Sequence, residues 1–449
     1  MTSTKRLLSC GVLAVALLLA PPLWAGPQIQ SWHTANGARV LFVAAPELPI
    51  LDVRVVLDAA GAREAKPGVA SLTNAMLTQG AGEWNADQIA ERIEGVGSNM
   101  GTGSLRDMAW VSVRTLIREP ALSTSLETMS QVLGRPTFPP ADLERLRKAT
   151  LVALRQSEQK PGSVGKKAFY RAVYGEHPYA GDPLGTRESV EGLTLEDLLS
   201  HYRRYYVAKN AVVAIVGAVS RDQAKNIAEQ VTAGLDAGAA AAQLPPVADP
   251  AAGRLQRLDF PSSQSHLYIG QPGMSRNDPD YFALYVGNHI LGGSGLVSLL
   301  SDEVREKRGL SYSVYSYFLP MQERGPFMMG LQTKNAQAEQ AREVLLETLH
   351  HFMEQGPTAE ELTAAKQNIT GGFPLRIASN SKIVEYLSLI GFYGLPLDYL
   401  DRFNARVEAV TAGQIRAAFA RRLHPERFVT IVVGPARGPE MAANAEEKE

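Results

Sequence analysis

Apolar positions along the chain follow two periods. Residues 52–60 and 107–116 alternate or run apolar over short stretches, which predicts strands. Elsewhere the period lengthens to that of a helix. Asn85 is placed to cap one, with Gln88 at the capping-box position, Ile89 and Ile93 on one face, and Gly95 and Gly97 at its end. Helical stretches at 194–206 and 411–423 are each followed by an apolar run, at 211–218 and 428–435. Helices and strands do not alternate strictly. This order predicts an α+β fold, with helices packed on largely antiparallel mixed sheets, and argues against a doubly wound parallel sheet.

These patterns recur. Gly217 and Gly434 lie 217 residues apart, and segments opening at Pro140 and Pro357 keep that spacing. The strand ending at Gly61 matches one ending at Gly273, 212 residues on. Matches in the same order at a nearly constant offset predict a duplication into two homologous domains. Between them, residues 236–253 are dominated by alanine, proline and glycine and read as an interdomain linker that cannot build a core. The expected domains are 28–235 and 254–437, and the polar, acidic residues 438–449 are expected to be disordered. A chain of 449 residues is long enough for two cores.

Residues 1–25 read as a secretory signal. Lys5 and Arg6 precede an apolar stretch at 7–20, Pro21 and Pro22 break it, and the small Ala25 stands before Gly26. The stretch is short for a membrane span of about 20 residues, with an uncleaved anchor as the alternative. Export is expected, to the periplasm if the source has two membranes. Cys10 is the only cysteine and lies in this leader, so a mature chain has no disulfide, thiolate ligand or thiol nucleophile. A formal net charge of -1 gives no electrostatic reason to expect nucleic acid or an anionic membrane surface as a partner.

Residues 61–80 (Gly-Ala-Arg-Glu-Ala-Lys-Pro-Gly-Val-Ala-Ser-Leu-Thr-Asn-Ala-Met-Leu-Thr-Gln-Gly) resemble the N-terminal signature of insulinase/pitrilysin-type metallopeptidases. In active members of that family the helix after Pro-Gly carries His-x-x-Glu-His. Two histidines one turn apart hold zinc, and the glutamate polarises the attacking water. Here Ser71, Asn74 and Ala75 occupy those positions, while Pro67-Gly68, Met76-Leu77 and Gly80 keep the frame. Serine, asparagine and alanine make neither a zinc pair nor a general base. By the same resemblance the third ligand, a glutamate further along, falls in 148–155. That stretch has no carboxylate, and Glu144 and Glu158 only flank it. None of the eight histidines stands in a zinc-peptidase frame. His289 sits where the repeat places the lost motif but has no partner one turn away, and the adjacent His350 and His351 face different sides of a helix. The chain is expected to hold no metal.

Residues 291–300 and 302–315 resemble the C-terminal-domain signature of the same family. The resemblance implies that an arginine and a tyrosine seven positions apart serve the peptidase, here Arg305 and Tyr312; Arg308 lacks the spacing. A tyrosine hydroxyl can donate to a developing oxyanion, and an arginine can hold substrate carbonyls or support the tyrosine. On spacing alone the pair reads better as a solvated helix charge and a half-buried strand residue; the surrounding glycine-rich and Arg-Gly-Leu-Ser-Tyr context favours the functional reading. Gly292, Gly293, Ser294 and Gly295 resemble in position a glycine-rich loop that non-catalytic subunits of mitochondrial processing peptidase hold near substrate; they also suit a plain helix–strand turn.

The resemblance implies half of a clamshell. The chain would be the zinc-free subunit of a heterodimer. Its sister, bearing His-x-x-Glu-His, brings zinc and cleaves peptides, while Arg305 and Tyr312 act in trans. The rival reading is a non-enzymatic scaffold or peptide-binding protein of the same fold, as the core subunits of respiratory complex III are. Retention of the Arg305 and Tyr312 pair weighs against pure scaffolding.

Overall fold

In the computed structural model, which describes residues 27–436, the chain builds the same sheet twice. The leader at 1–25 and the tail at 438–449 lie outside the described residues. The first half contains β1 (Gln30–His33), β2 (Arg39–Ala44), β3 (Ile50–Leu57), α1 (Val69–Met76), α2 (Ala86–Glu94), β4 (Asn99–Ser104) and β5 (Ala109–Leu116). It continues through α3 (Ala121–Gly134), α4 (Pro140–Glu158), α5 (Pro161–Tyr174), α6 (Arg187–Gly192), α7 (Leu195–Tyr205), β6 (Ala211–Gly217) and α8 (Arg221–Thr232). The second half contains β7 (Arg254–Asp259), β8 (Gln264–Pro272), α9 (Tyr281–Asn288), β9 (Val314–Phe318), β10 (Pro326–Lys334) and α10 (Ala338–Gln355). There follow α11 (Ala359–Arg376), α12 (Asn380–Phe392), α13 (Tyr399–Glu408), α14 (Ala412–Arg422) and β11 (Val429–Gly434).

The first sheet has the order β1-β2-β6-β3-β5-β4, and the second β7-β11-β8-β10-β9. Strand for strand, β2, β6, β3, β5 and β4 correspond to β7, β11, β8, β10 and β9. Each sheet has one parallel pair, β2 with β6 and β7 with β11, and is otherwise antiparallel. Capping boxes start α2 at Asn85, α7 at Thr194 and α14 at Thr411, the last two 217 residues apart. The strand expected at 52–60 instead starts at Ile50 and ends at Leu57. Asp58 leaves the ladder, where its carboxylate accepts from Arg63.

The central strands β6 and β11 are buried along their whole length. A strand of that kind needs apolar cover on both faces of its sheet. Each half supplies one cover itself and borrows the other. Helix α5 crosses from the first half to lie on β8 and β11, and α12 crosses back to lie on β3, β6 and β2. Both crossing helices meet the sheet through a glycine. A Cβ on Gly165 would stand 2.4 Å from the Tyr268 ring, and one on Gly391 would stand 2.3 Å from Val212 Cγ1. One core cluster therefore joins Leu41, Val212 and Val216 to Val384, Leu387 and Ile390, and another joins Phe169 and Val173 to Ile431 and Val433.

Residues 236–253 form no helix or strand, but the expectation that they add nothing to a core is corrected. Leu244 and Val247 are buried in the cluster beneath α5. Arg63 donates to Ala242 O, and Arg324 donates to Val247 O and pairs with Asp249 (2.7 Å). The alanine-rich composition masks two apolar anchors and a set of backbone acceptors.

The halves are also joined by a buried carboxylate. Asp107, 3% exposed, accepts from Tyr179 Oη (2.6 Å), the Gln322 backbone N–H (2.7 Å) and Tyr393 Oη (3.1 Å). Gln322 belongs to the β9–β10 turn and also donates to Asp58 (3.0 Å). Burial holds the Asp107 carboxyl above its ordinary range, against the lowering effect of its three donors. Replacing Asp107 by alanine strands those donors and is expected to lower the unfolding free energy by about 3 kcal/mol or more in denaturant titrations. A loss under about 1 kcal/mol would show that the apolar exchange alone holds the halves together.

Candidate functional site

Helix α1 starts from Gly68, at φ 89°, where a Cβ would stand 2.9 Å from Leu184 O. Glycine is needed there for both the left-handed backbone and the close approach. Glu64 Oε1 accepts from the Ala70 N–H (3.1 Å) in the first turn of α1. Burial pushes the Glu64 carboxyl up to about 8, outweighing the lowering by the Gly68 and Ala70 N–H groups.

The three residues in the metal-ligand positions have other work. Ser71 Oγ donates to Pro183 O (2.6 Å). Asn74, 2% exposed, donates to Tyr206 Oη (3.2 Å) and Trp110 O (3.3 Å). Ala75 has no polar side chain. On α4, the carboxylate-free stretch 148–155 leaves Val152 half exposed, and the flanking Glu144 pairs with Arg147 (3.2 Å). His289, in the π-helical turn His289–Gly293, hydrogen-bonds Asn368, while burial and nearby Arg376 lower its pKa. Among the described residues, no group of three His, Cys, Asp or Glu side chains is placed to hold a metal ion. The residues in the old ligand positions do not fit zinc. They carry no imidazole or carboxylate, and the polar ones are bonded inward.

The second candidate region runs from the glycine-rich turn to Tyr312. Gly292 is buried against β9, where a Cβ would stand 2.4 Å from Ser316 Oγ. Asn288 ties that turn to the strand, donating to Ser316 O (3.1 Å) and accepting from Ser316 Oγ (2.8 Å). A Cβ on Gly293 would crowd Asn288. Gly292 and Gly293 thus serve packing, and Ser294 is part-buried. Gly295, at φ 66°, faces open space, and Leu296 and Val297 after it are 66% and 83% exposed. That bare apolar pair went unnoticed in the sequence; its signal is two large apolar residues directly after a glycine turn.

Arg305 lies on a π-helical turn, Asp302–Glu306, and its guanidinium carbon sits 4.8 Å from the centroid of the Tyr312 ring. The structure thus brings these two residues together. Arg308 turns to Glu303 instead. Ser311 fixes the backbone beside Tyr312 by donating to Ser313 O (2.8 Å) and Gln332 O (2.7 Å). Tyr312 is 82% exposed, and its hydroxyl has no hydrogen-bond partner among the described residues. The turn thus presents an exposed phenol beside a guanidinium that also pairs with Glu306 (3.4 Å), and the hydroxyl is free to donate.

This architecture, a duplicated mixed sheet with helical cover and an altered zinc-helix, defines a metallopeptidase-type fold with no metal-holding group among the described residues. Residues 39–187 match the insulinase (peptidase family M16) domain, and residues 192–369 match the peptidase M16 inactive domain. The crystal structure of a peptidase M16 inactive domain from Pseudomonas fluorescens has a TM-score of 0.89 at 40% identity, over 91% of this chain and 98% of that one. An uncharacterized zinc protease of Streptomyces coelicolor is 27% identical over 391 residues, 84% of this chain and 83% of its own length. A non-peptidase homolog, YmxG, of Helicobacter pylori is 24% identical over 353 residues, 78% and 80% of the two chains. The chain belongs to peptidase family M16, as a member of the non-catalytic kind.

Two outcomes test this description of α1. Asn74→Ala is expected to cost about 1–2 kcal/mol of stability in denaturant unfolding, because it leaves buried acceptors unmet. Glu64 titrates near 8 when folded and near 4.5 when unfolded, so its stabilising contribution is full at low pH and is lost as pH rises through that window. Glu64→Gln removes the dependence. The variant's unfolding free energy should gain on that of the parent between about pH 5 and 8, whereas parallel curves would mean that Glu64 is already ionised at the lower end.

Proposed function

We propose that this chain is the zinc-free subunit of an exported heterodimeric metalloendopeptidase. A sister subunit with an intact His-x-x-Glu-His supplies the metal and the attacking water. This chain closes the other side of the cleft and presents Arg305 and Tyr312 to the peptide. The observation that carries the reading is the Arg305–Tyr312 stack: an 82% exposed tyrosine held in place by a cation and a hydrogen-bonded turn. Tyr312 Oη would donate to the oxyanion that forms on the scissile carbonyl, and the guanidinium would add positive potential and hold substrate carbonyls. The exposed Leu296 and Val297 offer apolar area beside this segment for the sister or the substrate. The unpaired sheet edges at β4 and β9 suit an extended peptide added as a further strand. The leader-like residues 1–25 are the ground for export, and the periplasm is its destination in a two-membrane cell.

The test is zinc content and cleavage of a quenched peptide, for this chain alone and mixed with the sister chain. The isolated chain is expected to have neither zinc nor activity. The mixture is expected to be active and to lose about a hundredfold in kcat with Tyr312→Phe. That substitution should leave the melting temperature unchanged, because the hydroxyl has no partner among the described residues. Stoichiometric zinc and chelator-sensitive cleavage by the isolated chain would overturn the reading. Stable pairing with activity indifferent to both Arg305 and Tyr312 would assign a scaffold.

A further inference from the structure

The second half contains a cavity lined by cations and tyrosines, about 380 Å³ in volume, against α9, α11, α12 and α13. Helix α9 is the counterpart of α1, so the cavity borders the second half's equivalent of the altered zinc-helix. Three cations line it: Arg276, Arg376 and Lys382.

Their partners are neutral. Arg276 has its guanidinium carbon 5.1 Å from the Tyr281 ring centroid and 6.0 Å from that of Tyr393. Its Nε is buried without a hydrogen-bond partner, and no carboxylate lies within ion-pair distance of it among the described residues. Arg376 donates to Tyr285 Oη (2.8 Å), and Lys382 donates to Leu375 O (2.8 Å). The acids nearby are committed elsewhere. Asp278 pairs with Arg422 (2.8 Å), Asp398 with Arg402 (3.3 Å), and Glu385, the one acid in the lining, points to Arg54 (3.7 Å) with its side chain 62% exposed.

A largely buried guanidinium without a counter-anion is costly, and tyrosine faces offset only part of that cost. An incoming oxyanion would complete the site, since guanidinium groups match a carboxylate through paired N–H donors. The volume is too large for a bare ion, as a water occupies only about 30 Å³. The remainder is walled by rings, among them Tyr281 and Tyr285, stacked 6.0 Å apart. The ligand therefore combines one anionic group with a flat or apolar body.

We propose that this cavity binds the free C-terminal carboxylate of a peptide, with Arg276 and Arg376 on the carboxylate and the terminal side chain against the tyrosines. The proposal rests on the preceding reading only in that peptides are what the chain meets. It gives the chain a fixed grip on one peptide end, apart from the Arg305–Tyr312 pair.

The experiment is calorimetric titration of the full chain, without a sister subunit, using a short peptide ending in phenylalanine. The same peptide with an amidated C-terminus and inorganic phosphate serve as comparisons. The free acid is expected to bind, and amidation to weaken binding about tenfold or more. Arg276→Met and Arg376→Gln should each weaken it by a similar factor. Should Arg276→Met fail to fold, the exposed Arg376→Gln carries the test. Equal binding of acid and amide, phosphate binding as tightly as the peptide, or no binding at all would each overturn the proposal. Because the readout needs no sister and no turnover, peptide capture by a chain that fails the paired activity assay would leave this pocket standing and remove only the trans-acting role.

Discussion

Each sheet of this protein has two apolar faces, and its own half covers only one. The second cover comes from a helix of the other half, α5 in one direction and α12 in the other. Losing either helix would return a row of buried valine, leucine and isoleucine side chains to water, at about 1.5–3 kcal/mol each. A handful of such residues equals the whole stability of an ordinary domain. The two halves are thus cooperative by construction, and their relative placement follows from the fit of Gly165 and Gly391 to the opposite sheets. The polar contacts through Asp107, Gln322 and the anchored linker are set within that frame.

This frame explains how α1 can stand without metal-binding chemistry. The helix is held by its glycine start, by Glu64 at its first turn and by its buried apolar face, none of which depends on a metal. At the positions that correspond to the family's metal ligands, Ser71 and Asn74 are internal hydrogen-bonders and serve stability. The second half presents an exposed tyrosine beside an arginine, Tyr312 and Arg305, on a turn whose backbone Ser311 fixes to Gln332.

Much of this was legible in the sequence, and the limits have physical causes. The constant offset between Gly217 and Gly434 is the trace of two sheets with one strand order, and the capping residues Thr194 and Thr411 marked equivalent helices directly. The resemblance to the family's C-terminal signature, not the spacing alone, paired Arg305 with Tyr312, and both lie on one short segment. The helix exchange was not legible, because an apolar stripe on α5 or α12 says that the helix is covered, not by which sheet. Gly292 read as a loop residue because nothing local shows that Ser316 lies against it. The linker's composition hid Leu244 and Val247. The cation–tyrosine cavity draws on residues from 276 to 403, which no short pattern gathers.

The exchanged helices also set the terms on which the halves could exist apart. A single half with its crossing helix directed away leaves one face of its own sheet bare, so a half on its own would need a second copy to lend it a helix. Joining the two halves in one chain makes that exchange a tethered encounter in place of a concentration-dependent one. The two halves can therefore differ in sequence, as α1 and the Arg305–Tyr312 turn do, while each still covers the other's sheet.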